Sequence, residues 1–91
     1  MSGDAWRVVF TPAAERELRR LPADAAMLLG GPIFDVAAEP QPPGSRKVSG
    51  TDLWRIRVRD IRVIYALRAD TRTALIVRVV RRAERTYRRL R

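Results

Sequence analysis

Arginines at every second position mark a stretch near the middle of the chain. Arg55, Arg57 and Arg59 alternate with large apolar side chains, and Arg62 follows shortly afterwards. A period of two predicts a β-strand with one face toward the core and one basic face toward solvent. Guanidinium groups on one sheet face repel one another unless they bind an anion, and arginine binds phosphate through two parallel hydrogen bonds. The pattern therefore indicates binding of phosphate groups.

Two residue types that carry much of enzyme chemistry are absent from the 91 residues. Without histidine the chain lacks the usual general base, the usual metal ligand and every Ser–His or Cys–His catalytic pair. Without cysteine it has no disulfide, no thiolate metal site and no thiol nucleophile. An enzyme built on this sequence works without the favoured catalytic groups.

The net charge indicates a polyanionic partner. Nineteen lysines and arginines outnumber ten acidic residues, which leaves +9, and all but one of these bases are arginine. A positive field of this size attracts polyanions and speeds their encounter. A GC-rich genome would favour arginine over lysine whatever the function, but it does not explain the excess of positive charge. We expect nucleic acid or an acidic protein as the partner.

Length and composition indicate a single domain over residues 1–91. With 46% hydrophobic and 32% charged residues, the chain resembles neither a disordered tail nor a membrane protein. No apolar run approaches the roughly 20 residues of a membrane span. The first residues lack the basic and apolar regions of a secretory signal, so we expect a cytoplasmic protein.

The first half of the chain predicts one strand followed by helices. Residues 6–10 alternate as a strand, and Thr11 caps a helix that stops at Pro22. A second helical segment is expected over 24–39, with a break near Gly31 because two glycines and a proline meet there. The side chains expected in the core are Trp6, Val8, Phe10, Ala14, Leu18, Leu21, Leu29, Ile33, Val36, Trp54 and Tyr65.

The second half predicts strands joined by short turns. A proline-rich loop at 40–44 is too stiff for a helix or a central strand. The following strands lie close enough in sequence for a hairpin meander, and a short helix ends the chain. The expected elements are strands at 46–48, 54–59, 61–69 and 74–80, and a helix at 84–90.

Short motifs in one order along nearly the whole chain carry a family resemblance. They are Trp-Arg-Val-Val-Phe-Thr at 6–11, Leu-Arg-Arg-Leu-Pro at 18–22, Glu-Pro at 39–40, Gly-Ser-Arg-Lys-Val-Ser-Gly at 44–50, Leu-Trp-Arg-Ile-Arg-Val at 53–58, Arg-Val-Ile-Tyr at 62–65 and the arginine-rich end. Together they resemble the RelE/ParE superfamily of bacterial toxins, on the RelE side. The resemblance implies an α+β fold, in which two N-terminal helices pack on a twisted, mainly antiparallel sheet of four to five strands, with a short C-terminal helix.

The resemblance also implies a function. RelE-like toxins cut mRNA in the ribosomal A site, ParE-like toxins poison DNA gyrase, and a cognate antitoxin silences both. In the cutting branch a 2′-hydroxyl attacks its neighbouring phosphate, so we expect no metal or other cofactor. The expected partners are the ribosome, mRNA and an antitoxin, in a heterodimer or heterotetramer. A gyrase inhibitor and an inactive toxin relic are the alternatives to an mRNA endonuclease.

The family's catalytic positions fall near the end of the chain and on one strand. Its strand arginine is Arg62, and its C-terminal aromatic is Tyr87. Its last basic position is Arg81 by spacing from Tyr87, or Arg82 by alternation with Arg78. Arg62 and Arg81 are expected to stabilise charge on the phosphate. Tyr87 is expected to stack on a base or to donate a hydrogen bond near the leaving oxygen.

The expected RNA-binding positions are all basic. The family's two basic positions on the preceding strand fall on Arg55 and Arg57, which would hold the RNA backbone and orient the scissile nucleotide. We add to them three further bases from the short strand and from the end of the last strand. These are Arg46, Lys47 and Arg82.

The sequence departs from the family pattern at two points. Where RNA-cutting members often carry lysine or histidine as a proton acceptor, this chain has Arg55 and Arg57, and a pKa above about 12 makes arginine a poor base. Glu84 is the only carboxylate we expect nearby, as a base or as an acid in the first helical turn. A turn glycine is replaced by Arg59, which we expect to strain that turn by about 1 kcal/mol.

Overall fold

The structure, a computed structural model, describes residues 5–81 of the chain. These residues form a five-stranded sheet that is covered on one side by helices. The predicted helix at 84–90 lies outside these residues. In chain order the elements are β1 (Arg7–Phe10), α1 (Pro12–Arg20), α2 (Ala23–Met27), α3 (Gly30–Ala38), β2 (Arg46–Lys47), β3 (Leu53–Val58), β4 (Ile61–Arg68) and β5 (Thr73–Arg81).

The sheet is mainly antiparallel, which confirms the expected α+β fold. Its strand order is β1-β5-β4-β3-β2. The last four strands in the chain form the predicted meander, with each strand antiparallel to the one before it. β1 is the exception, because the helices carry the chain away before β5 returns beside it, and it pairs with β5 in parallel.

The start of α1 follows the predicted capping pattern. The Thr11 side-chain oxygen accepts a hydrogen bond from the Ala14 N–H at 3.1 Å, and Pro12 occupies the first turn, where its missing N–H costs nothing. The Thr11 hydroxyl also donates to the Val77 carbonyl at 3.3 Å, so the cap ties the helix to β5. The helix ends at Arg20, before Pro22.

The predicted break near Gly31 occurs slightly earlier in the chain. α2 ends at Met27 and α3 begins at Gly30, so the break falls at Leu28 and Leu29. The Leu29 N–H bonds to the carbonyl three residues back, a tighter turn than that of an α-helix. Pro32 explains the shift, because proline fits only the first turn of a helix and α3 must therefore begin shortly before it.

The core lies between the helices and the inner side of the sheet, and most of its predicted members are there. Val8, Phe10, Leu18, Leu21, Ile33 and Trp54 pack, partly buried, against the fully enclosed residues. Those enclosed residues are Ala14, Ala25, Leu29, Val36, Ile56, Ile61, Val63, Tyr65, Ala74, Ile76 and Val79.

Trp6 and Tyr65, both predicted in the core, have different surroundings. Trp6 is only half-buried and lies at the margin, with the Arg72 guanidinium carbon 5.8 Å from the centre of its ring. Tyr65 is fully buried, and its hydroxyl donates to the Pro40 carbonyl at 2.7 Å. Burial raises the pKa of Tyr65. The hydroxyl therefore stays protonated and fastens the proline-rich loop to the sheet.

No helix within residues 5–81 is both long and apolar enough to cross a lipid bilayer.

Candidate nucleic-acid interface

Four arginines on one side of the sheet form two directly opposed pairs. Arg46 on β2 lies opposite Arg55 on β3. Arg57, farther along β3, lies opposite Arg62 on β4. Because Ile56, between Arg55 and Arg57, is buried in the core, these four side chains lie on the side away from the helices. We call them the basic face. Opposite side chains have Cβ atoms about 4.5–5.5 Å apart, so each pair brings two positive charges close together, an arrangement that suits an anion.

Arg78 borders the basic face but has a carboxylate partner. It lies across from Ile64, and its Nη2 is 2.8 Å from Glu17 Oε2 on α1. Glu17 Oε1 accepts the Val79 N–H at 2.7 Å. Burial by itself raises the pKa of Glu17, but the hydrogen bonds from Arg78 and Val79 outweigh it, so the pKa lies below its usual value. Glu17 thereby anchors α1 to β5.

The turn between β3 and β4 gathers three arginines around one carboxylate. Arg57, Arg59 and Arg62 line a shallow depression together with Asp60. The Asp60 Oδ2 atom accepts a hydrogen bond from Arg81 Nε at 3.0 Å. This bond lowers the pKa of Asp60. The turn thus holds the densest group of charges at this end of the sheet.

Asp60 is the residue that the sequence interpretation missed. The expectation that Glu84 is the only carboxylate near the site is incomplete, since Asp60 lines the depression and Glu84 lies outside the described residues. The sequence does carry a signal for Asp60. A two-residue hairpin loop lies next to the pair of strand residues that closes it, here Val58 and Ile61, and Asp60 is only two positions from Arg62.

Arg81 and Arg62 belong to opposite sides of the sheet by register. Arg81 lies opposite Ile61, whose side chain is fully buried, whereas Arg62 lies opposite Val80. The hydrogen bond to Asp60 brings the Arg81 guanidinium to the turn beside the basic face. The expectation that Arg81 acts with Arg62 therefore depends on this contact.

The remaining predicted site residues are separated from the basic face or lie beyond the described chain. Lys47 pairs with Trp54, which packs against the core, so it falls on the other side of β2 from Arg46. There it lines an open depression at the β2–β3 turn. Arg82 and Tyr87 lie outside residues 5–81, and their place in a site stays a prediction.

A family sequence model covers most of the chain. The family is described as the ParE toxin of the type II toxin–antitoxin system parDE, and its model matches residues 8–86. The chain belongs to this family. No curated protein matches the chain in sequence.

Solved structures of related toxins match this ParE-family toxin over nearly their whole length. The RelBE2 toxin–antitoxin complex from Mycobacterium tuberculosis matches with 25% identity and a TM-score of 0.76, over 86% of this chain and 99% of that chain. The archaeal RelE–RelB complex from Pyrococcus horikoshii OT3 matches with 26% identity and a TM-score of 0.76, over 88% and 98%. The isolated Escherichia coli RelE toxin, at 21% identity and a TM-score of 0.77 over 94% and 96%, shows the shared fold alone.

These matches confirm the predicted superfamily and fold. The ParE-family toxin is a type II toxin with a RelE-like architecture. Its basic face is the feature that a target or partner of negative charge would contact.

Proposed function

We propose that this ParE-family toxin is a ribosome-dependent mRNA endonuclease whose basic face holds the RNA at the reacting phosphate. The observation that carries the proposal is the pair of opposed arginines Arg57 and Arg62, next to the opposed pair Arg46 and Arg55. Each pair brings two positive charges close together on neighbouring strands. A phosphodiester backbone between them turns the repulsion into attraction.

The proposed reaction needs charge stabilisation more than it needs a protein nucleophile. The ribose 2′-oxygen bonds to the adjacent phosphorus, and the bond from phosphorus to the 5′-oxygen of the next nucleotide breaks. The 2′-hydroxyl loses one proton and the leaving 5′-oxygen gains one, so no further reactant is consumed. Negative charge grows on the phosphate oxygens, and fixed guanidinium groups stabilise it without reorganisation.

The proposed roles are those that the family resemblance implies, and the shared side of the sheet supports those of Arg55, Arg57 and Arg62. Arg62 contacts the reacting phosphate, and Arg55 and Arg57 hold the backbone on either side of it. Arg81, at the end of β5 and hydrogen-bonded to Asp60 in the β3–β4 turn, contacts the same phosphate. Tyr87, from beyond the described residues, stacks on a base or donates a hydrogen bond to the leaving oxygen.

Gyrase inhibition is the second candidate, and the family match favours it. The matching model is that of the ParE toxin, and gyrase is the target that the resemblance assigns to the ParE-like branch. A gyrase poison would use the basic face to bind DNA or an acidic protein surface without cutting RNA. The two candidates share the same surface and differ in the target.

A cognate antitoxin is the proposed regulatory partner. Two of the related structures are toxin–antitoxin complexes, from Mycobacterium tuberculosis and Pyrococcus horikoshii OT3. For this chain we propose a heterodimer or heterotetramer in the cytoplasm, in which an acidic or amphipathic antitoxin segment covers the basic face.

Induction of the toxin in cells separates the two candidate functions. We expect growth and translation to stop, with new mRNA 5′ ends inside coding regions at codon-spaced positions. A supercoiling assay with purified gyrase runs beside it, and we expect no inhibition there. If growth stops while translation continues, DNA breaks accumulate and gyrase is inhibited, the protein is a gyrase inhibitor instead.

A further inference from the structure

We infer that Asp60 is a positioning residue that brings the Arg81 guanidinium to the phosphate held by the basic face. The inference rests on the proposed function and adds to it a residue outside the set expected from the sequence. It follows from the register of the sheet together with one hydrogen bond.

Register alone would direct Arg81 away from the RNA. Arg81 lies opposite Ile61, which is fully buried on the helix side, and the neighbouring Val79 is buried there as well. Successive side chains of a strand point to opposite sides of the sheet. Without another contact, Arg81 therefore belongs to the side that the basic face turns away from.

The Asp60 carboxylate instead holds the Arg81 guanidinium at the β3–β4 turn. The distance from Asp60 Oδ2 to Arg81 Nε is 3.0 Å. Asp60 itself lines the depression formed with Arg57 and Arg62. The Asp60 side chain therefore lies between Arg81 and the two arginines that are proposed to contact RNA, Arg57 and Arg62.

The turn that carries Asp60 is short and constrained. Val58 and Ile61 form the last pair of the β3–β4 hairpin, which leaves a loop of two residues, Arg59 and Asp60. Arg59 has a φ of 58°, and a positive φ at the first position of such a loop suits the twist of a hairpin. The loop fixes the backbone at Asp60, and the hydrogen bond to Arg81 holds its carboxylate, as a residue that orients another group requires.

The hydrogen bond leaves most of the Arg81 guanidinium for an anion. Arginine has five N–H donors in a planar fork, and the bond to Asp60 uses the one on Nε. The edge formed by the two Nη groups is the edge that matches two phosphate oxygens. A carboxylate at Nε thus fixes the orientation of the fork, and this hydrogen bond does not use the edge formed by the two Nη groups.

The same bond makes Asp60 unsuitable as a proton acceptor. The hydrogen bond from Arg81 lowers the pKa of Asp60, so the carboxylate holds a proton less readily than an ordinary aspartate. Its contribution is therefore to orient Arg81.

Simple electrostatics and positioning predict opposite effects when Asp60 loses its charge. Asp60→Asn removes one negative charge from the basic end of the sheet, which should strengthen the binding of RNA if only net charge matters. If Asp60 positions Arg81, the cleavage step becomes slower although RNA binds as well or better. Asp70→Asn is the matched control, because Asp70 is an exposed acid in the β4–β5 turn and its loss changes net charge equally.

The experiment measures single-turnover mRNA cleavage on programmed ribosomes for the wild type, for Asp60→Asn, Asp70→Asn and Arg81→Ala, and for the double variant of Asp60→Asn with Arg81→Ala. Binding of a short single-stranded RNA with a 2′-deoxy substitution at one position is followed in parallel by NMR of the arginine Nε–Hε groups. We expect Asp60→Asn to lower the cleavage rate by about 10-fold without weakening RNA binding. We expect no further loss when Asp60→Asn is added to Arg81→Ala, and no loss with Asp70→Asn.

In the NMR titration we expect RNA to shift the Arg81 Nε–Hε signal in the wild type but not in Asp60→Asn, while the Arg62 signal shifts in both. Cleavage by Asp60→Asn at the wild-type rate or faster would overturn the inference. If the wild type does not cut RNA, the proposed function fails. In that case the NMR signal of Arg81 still tests the role of Asp60. A shift of this signal on addition of RNA in the wild type, but not in Asp60→Asn, supports positioning. The same shift in both proteins, or a shift in neither, contradicts it.

Discussion

At the scale of single residues, Arg59 shows how closely the site depends on its turn. The family resemblance places glycine at this position, and the structure gives Arg59 a φ of 58°, which confirms the expected strain. A left-handed conformation costs a non-glycine residue roughly 1–2 kcal/mol. The strained residue Arg59 directly precedes Asp60, and both line the same depression as Arg62.

Replacement of Arg59 tests the strain directly. We expect Arg59→Gly to raise the free energy of unfolding by about 0.5–1 kcal/mol, since the relief of strain exceeds the extra chain entropy that glycine loses. Arg59→Ala removes the same side chain and keeps the positive φ, so it should bring no such gain. Urea unfolding of the three proteins measures the difference, and equal stability of both variants would mean that the arginine side chain itself, not the backbone, sets the cost.

At the scale of elements, the opposed arginines of β3 and β4 should cost stability in the absence of RNA. We expect Arg57→Thr to stabilise the free protein by about 0.5 kcal/mol at low salt, because a like-charge cross-strand pair is removed and threonine suits a strand. Arg68→Thr is the control, since Arg68 lies on the same side of β4 opposite Thr73. Thermal unfolding at low and high salt should show the gain for Arg57→Thr shrinking as salt screens the repulsion. An equal gain in both variants would show that β-propensity alone is responsible.

The contact between α1 and β5 should make stability depend on pH. The hydrogen bonds to Glu17 hold its pKa below the usual value, against the effect of burial. A carboxyl with a depressed pKa in the folded state stabilises the protein above its unfolded pKa, and this stabilisation is lost as pH falls through the folded pKa. We expect Glu17→Gln to cost about 1–2 kcal/mol at neutral pH and much less near pH 3.

Glu15→Gln provides the comparison for that measurement. Glu15 forms an exposed ion pair with Arg19 at 3.4 Å, one helical turn away, and such pairs contribute at most about 0.5 kcal/mol. In urea unfolding, Glu17→Gln should therefore have a lower free energy of unfolding than Glu15→Gln at neutral pH. Near pH 3 the two variants should have similar values. A constant deficit for Glu17→Gln would mean that the carboxylate charge is not involved.

Local patterns in the sequence were sufficient for most elements but not for their register. The capping by Thr11, the stop before Pro22 and the two-sided character of β3 follow from neighbouring residues, and each is confirmed. The parallel pairing of β1 with β5 depends on contacts far apart in the chain, which periodicity does not report. The Asp60–Arg81 contact is of the same kind, since it exists only once β4 and β5 are in register.

At the scale of the whole molecule, charge is segregated along the chain. Residues 21–45 contain three acidic residues and none of the 19 bases. The rest of the chain therefore carries a net charge of +12, against −3 for this segment, and much of the positive charge lies on the sheet. Within residues 5–81, this distribution places much of the positive charge on the strands that carry the basic face.

Association with an antitoxin should reflect this distribution. We expect the association rate to fall steeply with rising salt, because the encounter is steered by the field of the basic face, while dissociation changes less. Stopped-flow mixing of toxin and antitoxin over a series of salt concentrations measures both rates. An association rate that is the same at low and high salt would place the antitoxin elsewhere.

The most direct test of the proposed activity compares two arginines on one strand. Arg62 belongs to the basic face, whereas Arg68 lies on the same side of β4, six residues away at the far end of the strand. In single-turnover cleavage of mRNA on programmed ribosomes, we expect Arg62→Ala to lower the rate by roughly 10²-fold or more, as the loss of one preorganised charge donor does. Arg68→Ala removes the same charge and should leave the rate unchanged. Equal slowing by both variants would mean that the basic face acts only through its overall positive charge and that Arg62 has no specific role in cleavage. No cleavage by the wild type would contradict the endonuclease activity itself.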